Sequence, residues 1–491
     1  MELWILPCFL ISDATGVRVD SPMELWILPC FLIVLMQAGF ALLETGLGRA
    51  KNAAHTMSMN FLAYSLGMTA FWAVGFALMC GGAASAHHSA GAWGNLSQIK
   101  GFEYIWGFRT SVGHWWGIVG GRGFFLASRG LNPAAHSAML GAFLCMMLYM
   151  SVSATIPTGA LIERWSVRSF AAFTLFNAAV TFPIFGCWMW GGGWLALLGK
   201  HLGLGNGAVD YAGSSVVHLL GGTLAFTGVW QLGPRIGKYD EEGLPRPIFG
   251  HDVPNVVLGT LLLAFGWFGF NTAGSFAAHD ELAATAAVNT ALASAAGALA
   301  AGLYMWKFYG KPDPSLMCNG MLGALVATCA SCAYVDPWAA FLIGALAGVL
   351  APWGVLYLER KGIDDPVGAI SVHGLNGLWG MIALGLFANG QAGQGTHGVN
   401  TAVRGLFYGG GIKQLLAQLI ASGVCIGWAL AAGTVAFTIL RAILGSNRVS
   451  VEVEIAGLDI PEMGASGYPE FITHVAPEQV PMAEIVAARR G

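Results

Sequence analysis

The sequence predicts an all-α integral membrane protein with eleven transmembrane helices, arranged as two inverted five-helix repeats plus an eleventh helix. Three observations carry that expectation: a shortage of charge, apolar blocks of membrane length, and a histidine motif that occurs twice.

The 491 residues are 56% hydrophobic and only 10% charged. A soluble globule has about a quarter of its residues charged, so this chain cannot coat a water-facing exterior. Its exterior must face lipid. Apolar blocks of roughly 20 residues suit a hydrocarbon core about 30 Å thick, and the 70 glycines lie within those blocks, where small residues let helices pack closely. A net charge of −3 with singly spaced Lys and Arg gives no footprint for nucleic acid, leaving the bilayer as the partner that composition implies.

Apolar blocks bounded by charge or turn residues fall at 23–47, 57–82, 133–161, 167–198, 213–233, 252–272, 282–306, 314–333, 336–358, 368–389 and 413–443. An odd number of spans puts the two ends on opposite sides. Arg49 and Lys51, Arg164 and Arg168, Arg235 and Lys238, Lys307 and Lys311, Arg360 and Lys361, and Arg441 and Arg448 gather on one side, which the positive-inside rule makes cytoplasmic. The N-terminus is then expected outside and the tail inside. Residues 83–132 form a long loop with four basic residues, kept outside because long loops cross largely regardless of charge.

Three regions follow: 1–22, an N-terminal extension; 23–443, the transmembrane domain; and 444–491, a polar cytoplasmic tail expected to dock or regulate. Met1–Ile11 repeats Met23–Ile33 letter for letter, but only the second copy continues into a block of membrane length. The first copy therefore reads as a gene-start artefact, and without a preceding basic residue it does not read as a signal peptide. Cys329 and Cys332 have the spacing of a redox or zinc pair, yet they lie in an apolar stretch without His or acidic company and read as ordinary small helix residues. No metal or other cofactor is expected. An intramembrane enzyme would need a nucleophile or a metal set such as HExxH, which the chain lacks, so it is expected not to be an enzyme.

The chemistry lies in the repeat. Asp210, His218 and Gly222 are matched by Asp365, His373 and Gly377 at the same spacings, 155 residues later. A lone histidine in an apolar helix is usually a satisfied structural group, but an ionisable residue inside a span is costly and marks function by default. Two at equivalent places in inverted repeats would meet near the midplane, where transporter substrate paths lie. Imidazole both donates and accepts hydrogen bonds, so such a pair can line a path for a small polar solute or relay a proton.

From Phe40 to Phe471 the chain resembles the ammonium transporter (Amt) family. The stretches that carry the resemblance are GFALLETGLGRAKN (Gly39–Asn52), GALIER (Gly159–Arg164), WMWGGG (Trp188–Gly193), VDYAGSSVVHLLGG (Val209–Gly222), GWFGFN (Gly266–Asn271), SVHGLNGLWG (Ser371–Gly380) and GLDIPEMGASGYP (Gly457–Pro469). The resemblance implies a homotrimer in the cell membrane, each subunit with its own pore for ammonium or ammonia. It assigns His218 and His373 to the pore lining, and Asp210 to the acid that orients the pore and supports cation recruitment. Trp190 matches the vestibule tryptophan, whose indole face attracts a cation, although position alone would equally suit an interfacial anchor. Phe270 and Tyr149 match the two stacked gate rings, with Tyr149 standing where the family has phenylalanine. Cys145, four residues earlier, is a further departure. Ser275 matches the vestibule hydroxyl, behind a stretch one residue longer than usual. In the tail, Gly457, Leu458, Asp459, Gly464 and Tyr468 match a segment that packs on the cytoplasmic face and communicates with PII-type signal proteins, with Met463 in place of a histidine. Ammonium collected near Trp190 would lose its proton and pass the histidines as ammonia. A sensor that uses the same fold to signal through its tail is the alternative.

Overall fold

A computed structural model describes residues 27–83, 102–128, 130–274 and 281–471. Among the described residues, each of the eleven apolar blocks contains a helix. Helix α1 is Ile27–Leu47. Helix α2 runs as Ala53–Ala70, a π turn Phe71–Gly75 and Phe76–Cys80. α3 is Pro133–Leu161, and α4 runs as Val167–Phe176, a π turn Asn177–Thr181 and Phe182–Met189. α5 begins with the π segment Ser214–Leu219 and continues as Leu220–Leu232. Then come α6 Val253–Ala273, α7 Glu281–Tyr309, α8 Pro314–Thr328 and α9 Pro337–Arg360. α10 begins with the π segment Ile370–Leu375 and continues as Asn376–Phe387, and α11 is Lys413–Leu444.

Their starts are written in the sequence. Asn132, Ser166, Asp252 and Asp313 each accept a bond from the backbone N–H three residues on, satisfying a donor that the first turn leaves unpaired. Prolines at the first or second position of α3, α6, α8 and α9 cost nothing there, because those N–H groups have no helical partner.

The bundle has the burial pattern that lipid imposes. Phe61, Leu303, Trp306 and Val435 are exposed, whereas Asn60, Asn177, Asn271, Asn289 and Gln418 are fully buried. α1 packs on α6, the first helices of the two five-helix halves, through glycine: a Cβ on Gly39 would lie 2.8 Å from Gly259 O.

At the end of the bundle that carries the basic residues, Arg235 donates to Asp364 through Nε (2.9 Å) and a terminal nitrogen (2.9 Å), while Arg49 pairs with Glu163. Burial by itself would raise the Asp364 carboxyl, but Arg164 and Arg235 outweigh it and bring the group down to about 2. Arg448 binds Glu454 (2.7 Å) in the same layer, and this ties the tail to the loop after α5.

Three expectations need correction. The long loop contains an antiparallel hairpin, β1 Ile105–Arg109 with β2 Trp115–Gly120, which the sequence reading did not foresee. The eighth block stops being helical at Thr328, so Cys329 and Cys332 lie in buried turns beyond α8 and not in a helix. The fourth ends at Met189 and not near 198, because Trp190–Gly193 turns the chain back through short-range bonds such as Gly193 N to Cys187 O at 2.9 Å. The duplicated N-terminal stretch and the tail beyond Phe471 lie outside the described residues.

Candidate functional site

The sequence repeat becomes a pair of matching turns. Asp210 Oδ1 accepts from Gly213 N (2.8 Å) and Ser214 N (2.9 Å), and Oδ2 accepts from Ser215 N (2.7 Å), Ser215 Oγ (2.6 Å) and Val216 N (3.1 Å). This carboxylate caps the π segment that holds His218. In the other half, Asp365 accepts from Gly368 N (3.0 Å) and Ile370 N (2.7 Å), and so caps the π segment that holds His373. Each acid stands eight residues before its histidine because that is the length of one cap plus one widened turn.

The glycines complete the symmetry by crossing over. Gly222 packs against the backbone of Gly374, and a Cβ on Gly377 would lie 2.6 Å from Ser214 O and 2.8 Å from Leu219 N. Each half's glycine thus admits the other half's histidine turn. The two turns come close enough that His218 Nδ1 lies 3.1 Å from His373 Nδ1, with the ring planes 17° apart. One ring must donate and the other accept, so the pair holds a single shared proton when both rings are neutral. His218 is fully buried with no protein partner for Nε2, and His373 is 4% exposed.

Above the pair the aromatic groups stack in order. The Phe270 ring is 5.5 Å from that of His218 and 4.4 Å from that of Tyr149, which it meets edge to face. The Tyr149 hydroxyl donates to Phe270 O at 2.6 Å, a bond that phenylalanine could not make. The Trp190 ring follows, 5.6 Å from Tyr149, with its indole N–H donated to Asp210 O at 2.7 Å. Trp190, Tyr149, Phe270, His218 and His373 therefore form one continuous file. Asp210 joins it through its backbone carbonyl and through the turn it caps, with its carboxylate spent on backbone donors and the Ser215 hydroxyl. Ser275 lies outside the described residues.

Two residues of this region were not singled out from sequence. Trp267 lies flat against His218, with centroids 5.1 Å apart and planes at 19°, and its N–H reaches Cys329 Sγ at 3.1 Å. The signal was available, since Trp267 is the second letter of GWFGFN. Phe40, in the first matched stretch, places its ring 6.0 Å from that of His373.

The tail residues assemble elsewhere, against the turn between α1 and α2. Gly457 adopts φ +105°, where a Cβ would lie 2.6 Å from Lys51 O. Leu458 is fully buried and donates its N–H to Asn52 Oδ1 at 2.9 Å. Asp459 accepts from His55 N (2.9 Å) and Gly467 N (3.0 Å). Gly464 turns the chain at φ +69°, and the Tyr468 hydroxyl meets His251 Nε2 at 2.8 Å. Met463 closes the short helical turn Asp459–Met463. Among the described residues no cluster of His, Cys, Asp and Glu is placed to hold a metal ion.

Comparison with known proteins agrees over nearly the whole chain. The family model described as Ammonium Transporter Family matches residues 25–468. A protein of Archaeoglobus fulgidus named ammonium transporter Amt2 is 42% identical over 443 residues, covering 90% of this chain and 86% of the relative. One of Haloferax mediterranei, named ammonium transporter Amt1, is 33% identical and covers 91% and 79%. Among solved structures, one titled Sensor Amt Protein superposes with a TM-score of 0.74 at 29% identity, covering 91% of this chain and 99% of that one. Candida albicans Mep2 superposes with a TM-score of 0.74 at 24% identity, covering 94% of each, which speaks to the fold alone.

Proposed function

Because this chain belongs to the ammonium transporter family, a family of multi-pass membrane transporters and not of enzymes, we propose that it carries ammonium or ammonia through the file that ends at His218 and His373. The observation that carries this reading is the 3.1 Å contact between the two imidazoles directly beneath closed aromatic rings. Ammonium is a bare cation that hydrocarbon rejects, whereas ammonia is small and neutral. In this mechanism the face of Trp190 attracts the cation. The carbonyl of Asp210 and the negative charge of its carboxylate add to that attraction. Tyr149 and Phe270 part to admit the substrate, which then gives up its proton and passes the imidazoles as ammonia. The Tyr149 hydroxyl latches the gate to the Phe270 carbonyl. Ser275 is proposed as a vestibule hydroxyl.

The subunit works as one of three in a homotrimer in the cell membrane, its N-terminus outside and its tail from residue 444 on the cytoplasmic side, where a PII-type protein could read it. The basic layer of Arg49, Arg164, Arg235 and Arg448 supports that orientation. Region 23–443 is the transporting unit and the docked tail a regulator. Sensing is the second reading, favoured by the likeness to the structure titled Sensor Amt Protein and by a tail already seated on the α1–α2 turn.

Substituting both His218 and His373 by leucine tests the pore assignment. The expected result is loss of ammonium transport with the oligomer intact; an unchanged rate and selectivity would overturn it.

A further inference from the structure

The two histidine turns have a back as well as a face toward each other, and behind them the bundle is hollow. A cavity of about 400 Å³ lies there between α5, α9, α10 and α11. That size falls in the range of ligand sites. One wall is made by Leu219 and Gly222 of α5 with Ser371 and Gly374 of α10, and Phe226, Leu378 and Ile426 make it apolar further in. Trp353 and Tyr357 line its α9 edge with rings stacked 5.3 Å apart. They are 45% and 46% exposed, so the cavity opens sideways from the bundle toward lipid.

Two polar features interrupt this apolar cleft. Ser371 is fully buried, and its Oγ has no protein partner. A buried hydroxyl left unpaired is costly, so an acceptor in the cleft would be held there. The second feature is charge at the mouth. Lys361, the residue after α9, holds its ammonium 5.7 Å from the centre of the Tyr357 ring, and Arg360 precedes it. Among the described residues neither pairs with a carboxylate. Ser371 faces Gly354, where a Cβ would lie 2.8 Å from its Oγ. Gly354 stands seven residues before Lys361, so the hydroxyl lies about 10 Å deeper than the charge at 1.5 Å per residue.

We propose that this cleft seats one anionic glycerolipid of the cytoplasmic leaflet. Such a lipid carries its phosphate outermost, its ester carbonyls beneath and its chains beyond. The cleft offers partners in the same order: Lys361 and Arg360 for the phosphate, the Ser371 hydroxyl for a carbonyl, and Phe226, Leu378 and Ile426 for a chain. Basic pockets between spans on the cytoplasmic side favour anionic headgroups. A helix of a second copy would bridge the concave opening without filling it, whereas a chain enters it. The leaflet follows from the orientation proposed above, while binding does not depend on transport. The chain packs behind both histidine turns, so leaflet composition bears on how firmly they meet.

The test is the full-length protein in neutral detergent, photolabelled with phosphatidylglycerol that carries a diazirine in one acyl chain and then mapped by peptide. Label should concentrate in residues 370–378 and 426–430, and excess phosphatidylglycerol should compete for it far better than phosphatidylcholine. Lys361→Glu should cut it at least roughly fivefold. Ser371→Ala should cut it roughly two- to tenfold, the span of one hydrogen bond. Ile426→Trp fills the cleft and should remove it while label near the lipid-facing Phe61 and Leu303 persists; if that variant does not fold, the exposed Lys361→Glu still decides. Label spread evenly over the lipid-facing helices, equal competition by phosphatidylcholine, or displacement by inorganic phosphate alone would each overturn the site. So would crosslinking of the Trp353–Tyr357 edge to another subunit with no label in the cleft. Specific label in a protein that gives no methylammonium influx would overturn the transport reading and leave this site standing.

Discussion

Replacing Asp210 by alanine should harm this protein more than replacing Asp365, although the two occupy equivalent places in the repeat. Asp210 takes four backbone N–H groups, those of Gly213, Ser214, Ser215 and Val216, at 2.7–3.1 Å. Asp365 takes two, those of Gly368 and Ile370, at 3.0 and 2.7 Å. Leaving a buried donor unpaired costs ~1–3 kcal/mol, so the two additional donors at Asp210 separate the variants by ~2–6 kcal/mol. Neighbouring losses add incompletely, which favours the lower end of that interval. Thermal midpoints of the detergent-purified full chain give the ranking: Asp210→Ala below Asp365→Ala, with Asp210→Asn between Asp210→Ala and wild type because its amide keeps one acceptor oxygen. Equal midpoints for the two alanine variants would refute the reasoning from cap occupancy and leave repeat symmetry as the governing factor.

Tyr149→Phe removes the hydroxyl that ties the gate to Phe270 O at 2.6 Å. A bond worth ~0.5–1.5 kcal/mol sets the scale, so methylammonium influx should rise by up to roughly tenfold; no change would deny the latch. Asp364→Asn removes the carboxylate that faces the buried Arg164 and Arg235, leaving Arg235 with Glu163 at 3.5 Å, and should cost ~3–5 kcal/mol, seen as a lowered midpoint. With the folded Asp364 value at about 2, below the ordinary carboxylate value of about 4, its stabilisation is complete above that ordinary value and is lost as pH falls through about 2. The wild-type midpoint should therefore owe none of its change between pH 5 and 8 to this group, and an Asp364→Asn midpoint equal to wild type at pH 7 would contradict the assignment. Truncation after Ser450 removes the Asn52, His55 and His251 contacts and should lower or deregulate transport, whereas truncation after Phe471 should do little. If both truncated chains behave like the full one, docking has no regulatory role; if the shorter deletion alone removes an ammonium response, sensing gains over transport.

Much of the bundle was legible because lipid leaves few options: backbone polar groups must be satisfied within each span, so apolar blocks become helices. The Asp, His and Gly spacing was equally informative, since it survives as two capped turns that interlock through Gly222 and Gly377. The π character of those turns was not legible. It depends on a one-residue widening that tertiary packing enforces, and no residue type marks it. The β1–β2 hairpin escaped because the loop was read by length and charge, while Trp106, Phe108 and Trp115 face outward and interrupt the usual alternation. Asp210 was read by its family role, yet it is the count of its bonds that separates it from Asp365. Trp267 and Phe40 both stood in stretches quoted for their resemblance. They were passed over because an aromatic in a span has no partner until the fold brings His218 or His373 beside it.

Uptake of labelled methylammonium by cells lacking their own carrier, expressing the full chain, bears most directly on whether this protein transports. Saturable influx, competed by ammonium and lost when His218 and His373 are both leucine, is the predicted result. Movement of the tail on adding ammonium, with influx no greater than in cells without the protein, would contradict it.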